Sequence, residues 1–388
     1  MNGKRERKRA PGRGEGGVVL VTAMLVMIIL SLLGATFLAV SGTERIIASN
    51  EMNTSRAFGI AEAGLEHARR ELVDVGVNTI LATCTGDPCI APIEFTIGGQ
   101  NVGFAGGTYN ATVRDDGTNP DPNVVIVRAT GTYVNAERII EATVDIPQMP
   151  NSPGGVGAFG PEATVEVGGS AEVNGHNFNP DTGILDPSVA SIPGVTFNSN
   201  DSELKLKKNG LVDGSTGAAP HLDTTLISTE WRDFADLVTP FADFTFTGPA
   251  TISGTETWGT PSNPAITVIS GPANETVHLS GTVTGAGILI VSARVEITGS
   301  FIFQGLVIIA DDTAKGKKGK YKIELKSTGV YGEGTIYGGL ILASELTNEI
   351  EYKFKLKGNS RVRYSREAID RARKTLPTTI ANWREDPS

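Results

Sequence analysis

Two apolar rhythms divide this chain. From Val18 to Val40 apolar residues run for 23 positions, broken only by Thr22, Ser31, Gly34 and Thr36. As a helix rising about 1.5 Å per residue this run reaches roughly 35 Å, enough to cross a hydrocarbon core of about 30 Å. Downstream the rhythm changes without a break. Phe58, Ala61, Leu65, Ala68 and Leu72 recur at spacings of 3, 4, 3 and 4, one face of a helix, while Glu51, Arg56, Glu62, Glu66, Arg69 and Arg70 fall mostly elsewhere. Between Thr43 and Val75 the only glycines are Gly59 and Gly64, and there is no proline. The pattern predicts one helix from about Val18 to Leu72, apolar all round at first and one-sided later.

From Ile93 the period drops to two. "IEFTI", "GTYNATVRD", "NVVIVRATGTYV" and "RIIEATVDI" read as four antiparallel strands that pack on the helix as a small α+β unit over residues 76–147. "PQMPNSPGGVG", residues 147–157, reads as a linker.

Beyond it a phrase recurs, apolar-x-apolar-x-Gly, at Val165–Gly169, Val277–Gly281, Val295–Gly299 and Phe354–Gly358, with a variant at Ile323–Ser327. A second phrase, Gly followed by an apolar run, starts at Gly287, Gly305 and Gly339. Val277 to Val295 and Gly287 to Gly305 are both 18 residues apart, whereas Gly305 to Gly339 is 34 with the basic "AKGKKGKYK" between. Coils of about 18 residues with one insertion explain the arithmetic, so residues 148–388 are expected to form an all-β, solenoid-like domain; an irregular β-sandwich is the competing reading. Residues 181–264 keep the pattern poorly and read as an irregular insertion, with "STEWRDFADLV" as a short helix. "YSREAIDRARKTLP" reads as a capping helix with Ser365 as N-cap, Ile369 and Ala372 on one face and Pro377 as its stop.

Composition agrees with a β-rich body: 47 glycines and 6% aromatic residues in 388. The net charge of −9 argues against a nucleic-acid partner, yet the first thirteen residues carry six Lys/Arg against one Glu. Ahead of an apolar helix, that basic stretch is expected to stay in the cytoplasm, leaving the rest of the chain outside the inner membrane. A removable secretory signal has a shorter apolar region, of about 7–15 residues. Ala39-Val40-Ser41 does resemble its small-x-small cleavage site, but a discarded signal has no need to continue into a structural helix. Cys84 and Cys89 flank a turn-forming "TGDP", and a disulfide closing this loop fits an exported domain; two free thiols near a turn are the alternative.

The basic segment, Gly17-Val18-Val19-Leu20, the apolar run and "ERIIASNEMNTSRAFGIAEAGLEHAR" together resemble the N-terminal region of PilX-type minor pilins of type IV pili, over about residues 10–75. The resemblance implies a class III leader (residues 1–17) cut on the cytoplasmic side by a prepilin peptidase, between Gly17 and Val18. It implies a membrane helix running through Thr22, Gly34 and Val40 that later packs in a pilus core. Other pilins and the pilus assembly machinery are then the expected partners. Pilins commonly carry Glu at the fifth mature position, where it pairs with a neighbour's terminal amine. Cleavage after Gly17 puts Thr22 there, after Gly16 Val21, and after Gly14 Val19. The missing Glu resembles the large tip-capping pseudopilin of type II secretion systems and points to a tip or priming position; it also leaves open a leader that is never cut.

Candidate chemistry is sparse. His67, His176, His221 and His278 show no metal-ligand spacing, and His221-Leu-Asp223 is the one close His/Asp pair in sequence. No G-x-S-x-G, P-loop or dinucleotide fingerprint is present, and no cofactor or metal is expected. The loop holding Asp115, Asp116, Asn119, Asp121 and Asn123 lacks EF-hand spacing and reads as a polar hairpin. Three functions are weighed. The first is a minor pilin displaying a β-rich domain at the cell surface. The second is a permanently anchored envelope protein whose solenoid binds glycan or a surface partner. The third is a polysaccharide-acting β-helix enzyme using Asp311 and Asp312 beside Lys315, Lys317 and Lys318. The sequence favours the first and a non-enzymatic role.

Overall fold

A computed structural model describes residues 15–82, 90–95, 98–116, 124–150, 152–160, 163–271, 276–310, 320–326, 334–343 and 351–386. Helix α1, Glu15–Val75, is 61 residues long, about 90 Å at 1.5 Å per residue. In its apolar half, Thr36 Oγ1 donates to the carbonyls of Leu32 (3.1 Å) and Leu33 (2.9 Å), and Thr43 Oγ1 to that of Ala39 (2.9 Å). Their hydroxyls are thereby satisfied without water. The helix stops at Gly76, whose φ of 89° only glycine adopts cheaply. Its N–H closes the last turn onto the Leu72 carbonyl at 3.0 Å. A short helix, α2 (Val77–Leu81), follows.

The first sheet runs in the order Ile90–Pro92, Gly107–Asp115, Val124–Tyr133, Ala136–Asp145, Thr379–Asp386, with Val102–Phe104 pairing Gly107–Asp115. All pairings are antiparallel. Two expectations change here. The first strand lies at Ile90–Pro92, ahead of "IEFTI", of which Phe95 makes only an isolated bridge. The last strand, Thr379–Asp386, belongs to this sheet and not to the body formed by residues 148–378, pairing Ile380 with Val144 and Trp383 with Ala142. One face of the sheet buries Tyr109, Ala111, Val113, Val125, Val127 and Ala129 against α1. At Gly131 a Cβ would stand 2.3 Å from the Ala57 carbonyl oxygen and 2.4 Å from the Ala61 nitrogen, so helix and strand backbones meet there.

The remaining strands form two parallel sheets, seven- and twelve-stranded as counted over the described residues. From Thr276 the chain alternates between them. Thr276–Leu279, Arg294–Ile297, Lys320–Lys326 and Glu351–Lys357 are neighbours in the smaller sheet. Thr282–Ser292, Ser300–Ala310, Gly334–Ala343 and Arg361–Tyr364 are neighbours in the larger. Val277 pairs with Val295 and Gly287 with Gly305, the offset of 18 read from the sequence. Across the basic insertion the register differs by one residue from the sequence phrase: Gly305 pairs with Gly338, and Gly339 faces Leu306.

The reason is conformational. Gly287, Gly305 and Gly338 have φ of 121°, 143° and 134°. A Cβ at Gly305 would lie 1.9 Å from the Gly287 carbonyl oxygen, and one at Gly338 would lie 1.8 Å from that of Gly305. At this glycine column the Thr282–Ser292 strand divides between two partners, as does Gly334–Ala343, whereas Ser300–Ala310 pairs unbroken with both of its neighbours. Thr282–Gly285 pairs with Thr255–Trp258, whereas Gly287–Ser292 pairs with Ala265–Ser270. Only glycine permits such a bend where backbones stack so closely.

Two further expectations are corrected. Residues 181–264 are not an irregular insertion. They contain helix α3 (Ser228–Val238), flanked by strands Val195–Phe197, Glu203–Lys207 and Leu211–Asp213 before it and Phe244–Thr247, Ala250–Ile252 and Thr255–Trp258 after it, all in the two parallel sheets. These strands are only three to five residues long and lack the repeating phrase, which hides them from a periodicity search. The terminal helix α4 (Arg366–Arg373) forms with Ser365 Oγ accepting from the Ala368 N–H at 3.3 Å, but it caps no end of the stack. With α3 it covers the flank of the long strands, where Trp231, Phe234, Ile369 and Ala372 bury Ile288, Ile290, Leu306 and Ile308. Strands apolar on both faces require such cover. Alternate residues point inward, where Trp258, Phe301 and Phe303 are buried in a common core, the latter two stacked at 6.1 Å.

Candidate functional site: the long helix and its seat

The two halves of α1 meet different surroundings. From Val19 to Val40 every residue is exposed, Phe37 and Leu38 at 73% each, and none of its most apolar window is buried. The helix is long and apolar enough to cross a membrane once. Gly17 and Val18 lie in its first turn, Thr22 is exposed, and Val40 is 55% exposed. Gly34 has open space where a Cβ would stand. In the lower half the predicted face turns to the sheet: Ala61, Leu65, Ala68 and Leu72 are buried, and Phe58 packs at the margin.

Polar groups fix this seat. His67 Nδ1 and the Tyr109 hydroxyl are 2.7 Å apart, the imidazole stacks on Phe95 at 4.4 Å, and burial raises the Tyr109 pKa. A Cβ at Gly64 would touch the Tyr109 ring at 3.1 Å, so glycine lets the ring lie on the helix. Arg56 donates to the Tyr133 hydroxyl with its guanidinium 5.0 Å from that ring's centre. Arg69 bonds Glu66 at 2.6 Å and donates to both the carbonyl and the hydroxyl of Thr378, just ahead of the last strand. Phe58 meets Trp383 of that strand with ring centres 6.3 Å apart. Sequence reasoning found the apolar face but not these partners. Tyr109 and Trp383 are 42 and more than 300 residues away from their helix contacts, and no local pattern marks them.

The other candidates gather no site. Cys84 and Cys89 lie outside the described residues, as do Asn119, Asp121 and Asn123 of the polar loop and Asp311, Asp312, Lys315, Lys317 and Lys318. His221 is exposed, and Asp223 beside it spends its carboxylate on the Thr225 N–H (3.0 Å) and hydroxyl (2.6 Å), which lower its pKa. His176 meets Ser191 Oγ at 2.6 Å and Asp213 at 3.6 Å, a grouping the sequence did not reveal. The Asp213 carboxylate is beyond hydrogen-bond reach of the ring, so the contact ties a loop rather than aligning a base. Among the described residues no group of three His, Cys, Asp or Glu is placed to hold a metal.

Comparison with known proteins bears on the helix. Residues 16–66 match the family model described as PilX N-terminal. No curated protein matches the chain. Among solved structures, the competence-associated pilin ComZ from Thermus thermophilus aligns over 86% of this chain and 97% of its own, at 11% identity and a TM-score of 0.27. A superposition that loose carries no argument about fold. The matched segment spans the exposed apolar run and the start of the buried face, and over that segment the chain is similar to the N-terminal region of PilX-type minor pilins.

Proposed function

We propose that the protein is a pilin-like, non-catalytic subunit of a type IV pilus. The supporting observation is the single helix that is bare over its apolar half and seated on a sheet over the rest. A helix apolar on all sides is at home in lipid and equally in a bundle of like helices, so one element serves both as anchor and as assembly segment. In this reading residues 1–17 are a leader removed by a prepilin peptidase, the N-terminus faces the cytoplasm, and the bulk lies in the periplasm until assembly. The helix and first sheet form the pilin-like unit, and the parallel strands form a β-solenoid displayed outward. Thr22 in place of the expected Glu supports a position at the tip, where no neighbour above supplies an amine. The size of the second body adds a steric reason for that place.

Mass spectrometry of the mature N-terminus tests this. A start at Val18, with its amine methylated, is the expected result. An intact Met1 favours a permanent anchor, and a start at Gly42 would mean a discarded signal; either result sinks the proposal.

A further inference from the structure

The lysines of this acidic protein are not scattered. Nine of its fifteen lie in three segments, "ELKLKK" (203–208), "KYKIELK" (320–326) and "EYKFKLK" (351–357). The fold brings all three into the seven-stranded sheet, in the order Lys320–Lys326, Glu351–Lys357, Thr164–Gly168, Glu203–Lys207. Lys322 is in register with Lys353, Lys326 with Lys357, and Lys207 with Gly168. These four strands and Lys208 hold nine lysines against Glu166, Glu203, Glu324 and Glu351, in a chain whose net charge is −9.

A cleft opens where three of these strands end. Gly168, Gly169 and Gly358 line a cleft of about 550 Å³ flanked by Lys207, Lys208 and Lys357. Gly168 places no side chain between the two neighbouring strands, whose backbones lie two strand spacings apart, about 10 Å. Glu166, its side chain only 6% exposed, holds Lys207 at 3.2 Å and Lys355 at 3.8 Å and so positions the cleft's rim.

We infer that this lysine-rimmed, glycine-floored face binds an acidic polysaccharide. An excess of lysine on neighbouring strands, with Lys207, Lys208 and Lys357 gathered at one cleft, selects a polyanion, and a narrow cleft takes a single extended chain. Nucleic acid fits less well. The residues lining the cleft include no aromatic ring for base stacking. This inference is independent of how the N-terminal helix is processed.

The probe is immobilised polygalacturonate, with the full-length protein in detergent. Binding is expected at low salt (about 50 mM) and at least tenfold weaker at about 300 mM, because charge–charge attraction is screened. Replacing Lys207, Lys208 and Lys357 by Gln together should weaken binding about tenfold, whereas Lys374→Gln, on another surface, should change it less than twofold. Glu203→Gln should tighten binding, which keeps the idea testable if the triple variant misfolds. No binding at low salt, a triple variant that folds and binds like the parent, or no tightening with Glu203→Gln overturns the inference. So does duplex or single-stranded DNA that displaces the protein at lower charge concentration than soluble polygalacturonate.

Discussion

Gly305 carries the clearest consequence of a single residue. Its φ of 143° and the Gly287 carbonyl 1.9 Å from where a Cβ would sit leave no room for alanine. Gly305→Ala should destabilise the parallel stack by about 3 kcal/mol, combining backbone strain with overpacking. Buried Trp258 reports it as a lower denaturant midpoint in fluorescence. Gly34→Ala, with open space around it, should leave that midpoint unchanged. Asp181 offers a pH test. Arg371 donates to both of its carboxylate oxygens, at 2.8 and 2.6 Å, and holds its pKa below the usual carboxylate value. A lowered folded-state pKa contributes stability that is complete above the unfolded value, near about 4, and is lost as pH falls through the lowered one. Asp181→Asn should therefore lower the thermal midpoint at neutral pH and shrink the difference from wild type as pH drops toward about 3. Gly287 and Gly305 are legible in the sequence because repetition exposes them, whereas the phrase points one residue past Gly338. Gly131 is not legible, since its closeness to Ala57 and Ala61 exists only after the sheet has docked.

At the scale of elements, local rhythm and tertiary seat part company. α1 was readable because its apolar run and its 3–4 spacing are properties of the segment itself, and "STEWRDFADLV" coincides with α3 for the same reason. α4 was readable as a helix but not in its place, because Ile369 and Ala372 do not say which surface they cover. The last strand shows no apolar alternation: Thr379 to Glu385 are all exposed, and its register is set by a partner more than 200 residues earlier. Its attachment rests on backbone pairing, on the Arg384–Glu141 (2.7 Å) and Arg138–Glu385 (3.4 Å) ion pairs, on Trp383 against Phe58, and on Arg69 holding Thr378 just ahead of it. Arg69→Ala combined with Trp383→Ala should weaken it by about 2 kcal/mol. Amides of residues 379–386 should then exchange faster in hydrogen-exchange mass spectrometry, while those of Ser300–Ala310 keep their rates.

For the whole molecule, the order of strands in space is not the order in sequence. The seven-stranded sheet runs from Ala250–Ile252 through Glu351–Lys357 and continues with Thr164–Gly168 and Glu203–Lys207. The chain enters the stack partway along and builds toward one end. After α3 it starts again at the other end and returns to meet its own beginning. Periodicity identifies strands but cannot order them, since Val165 pairing with Phe354 leaves no mark in either segment.

Because entry and exit lie together, the second body hangs from the first by two chain segments. Residues 146–155 lead out, and residues 374–378 lead back into a strand bonded along Ala136–Asp145. A body on one tether swivels, whereas a body on two resists rotation. Pulling on it loads a row of hydrogen bonds along the strand as well as the covalent link. A pull on this body is thereby passed to α1 through two connections instead of one.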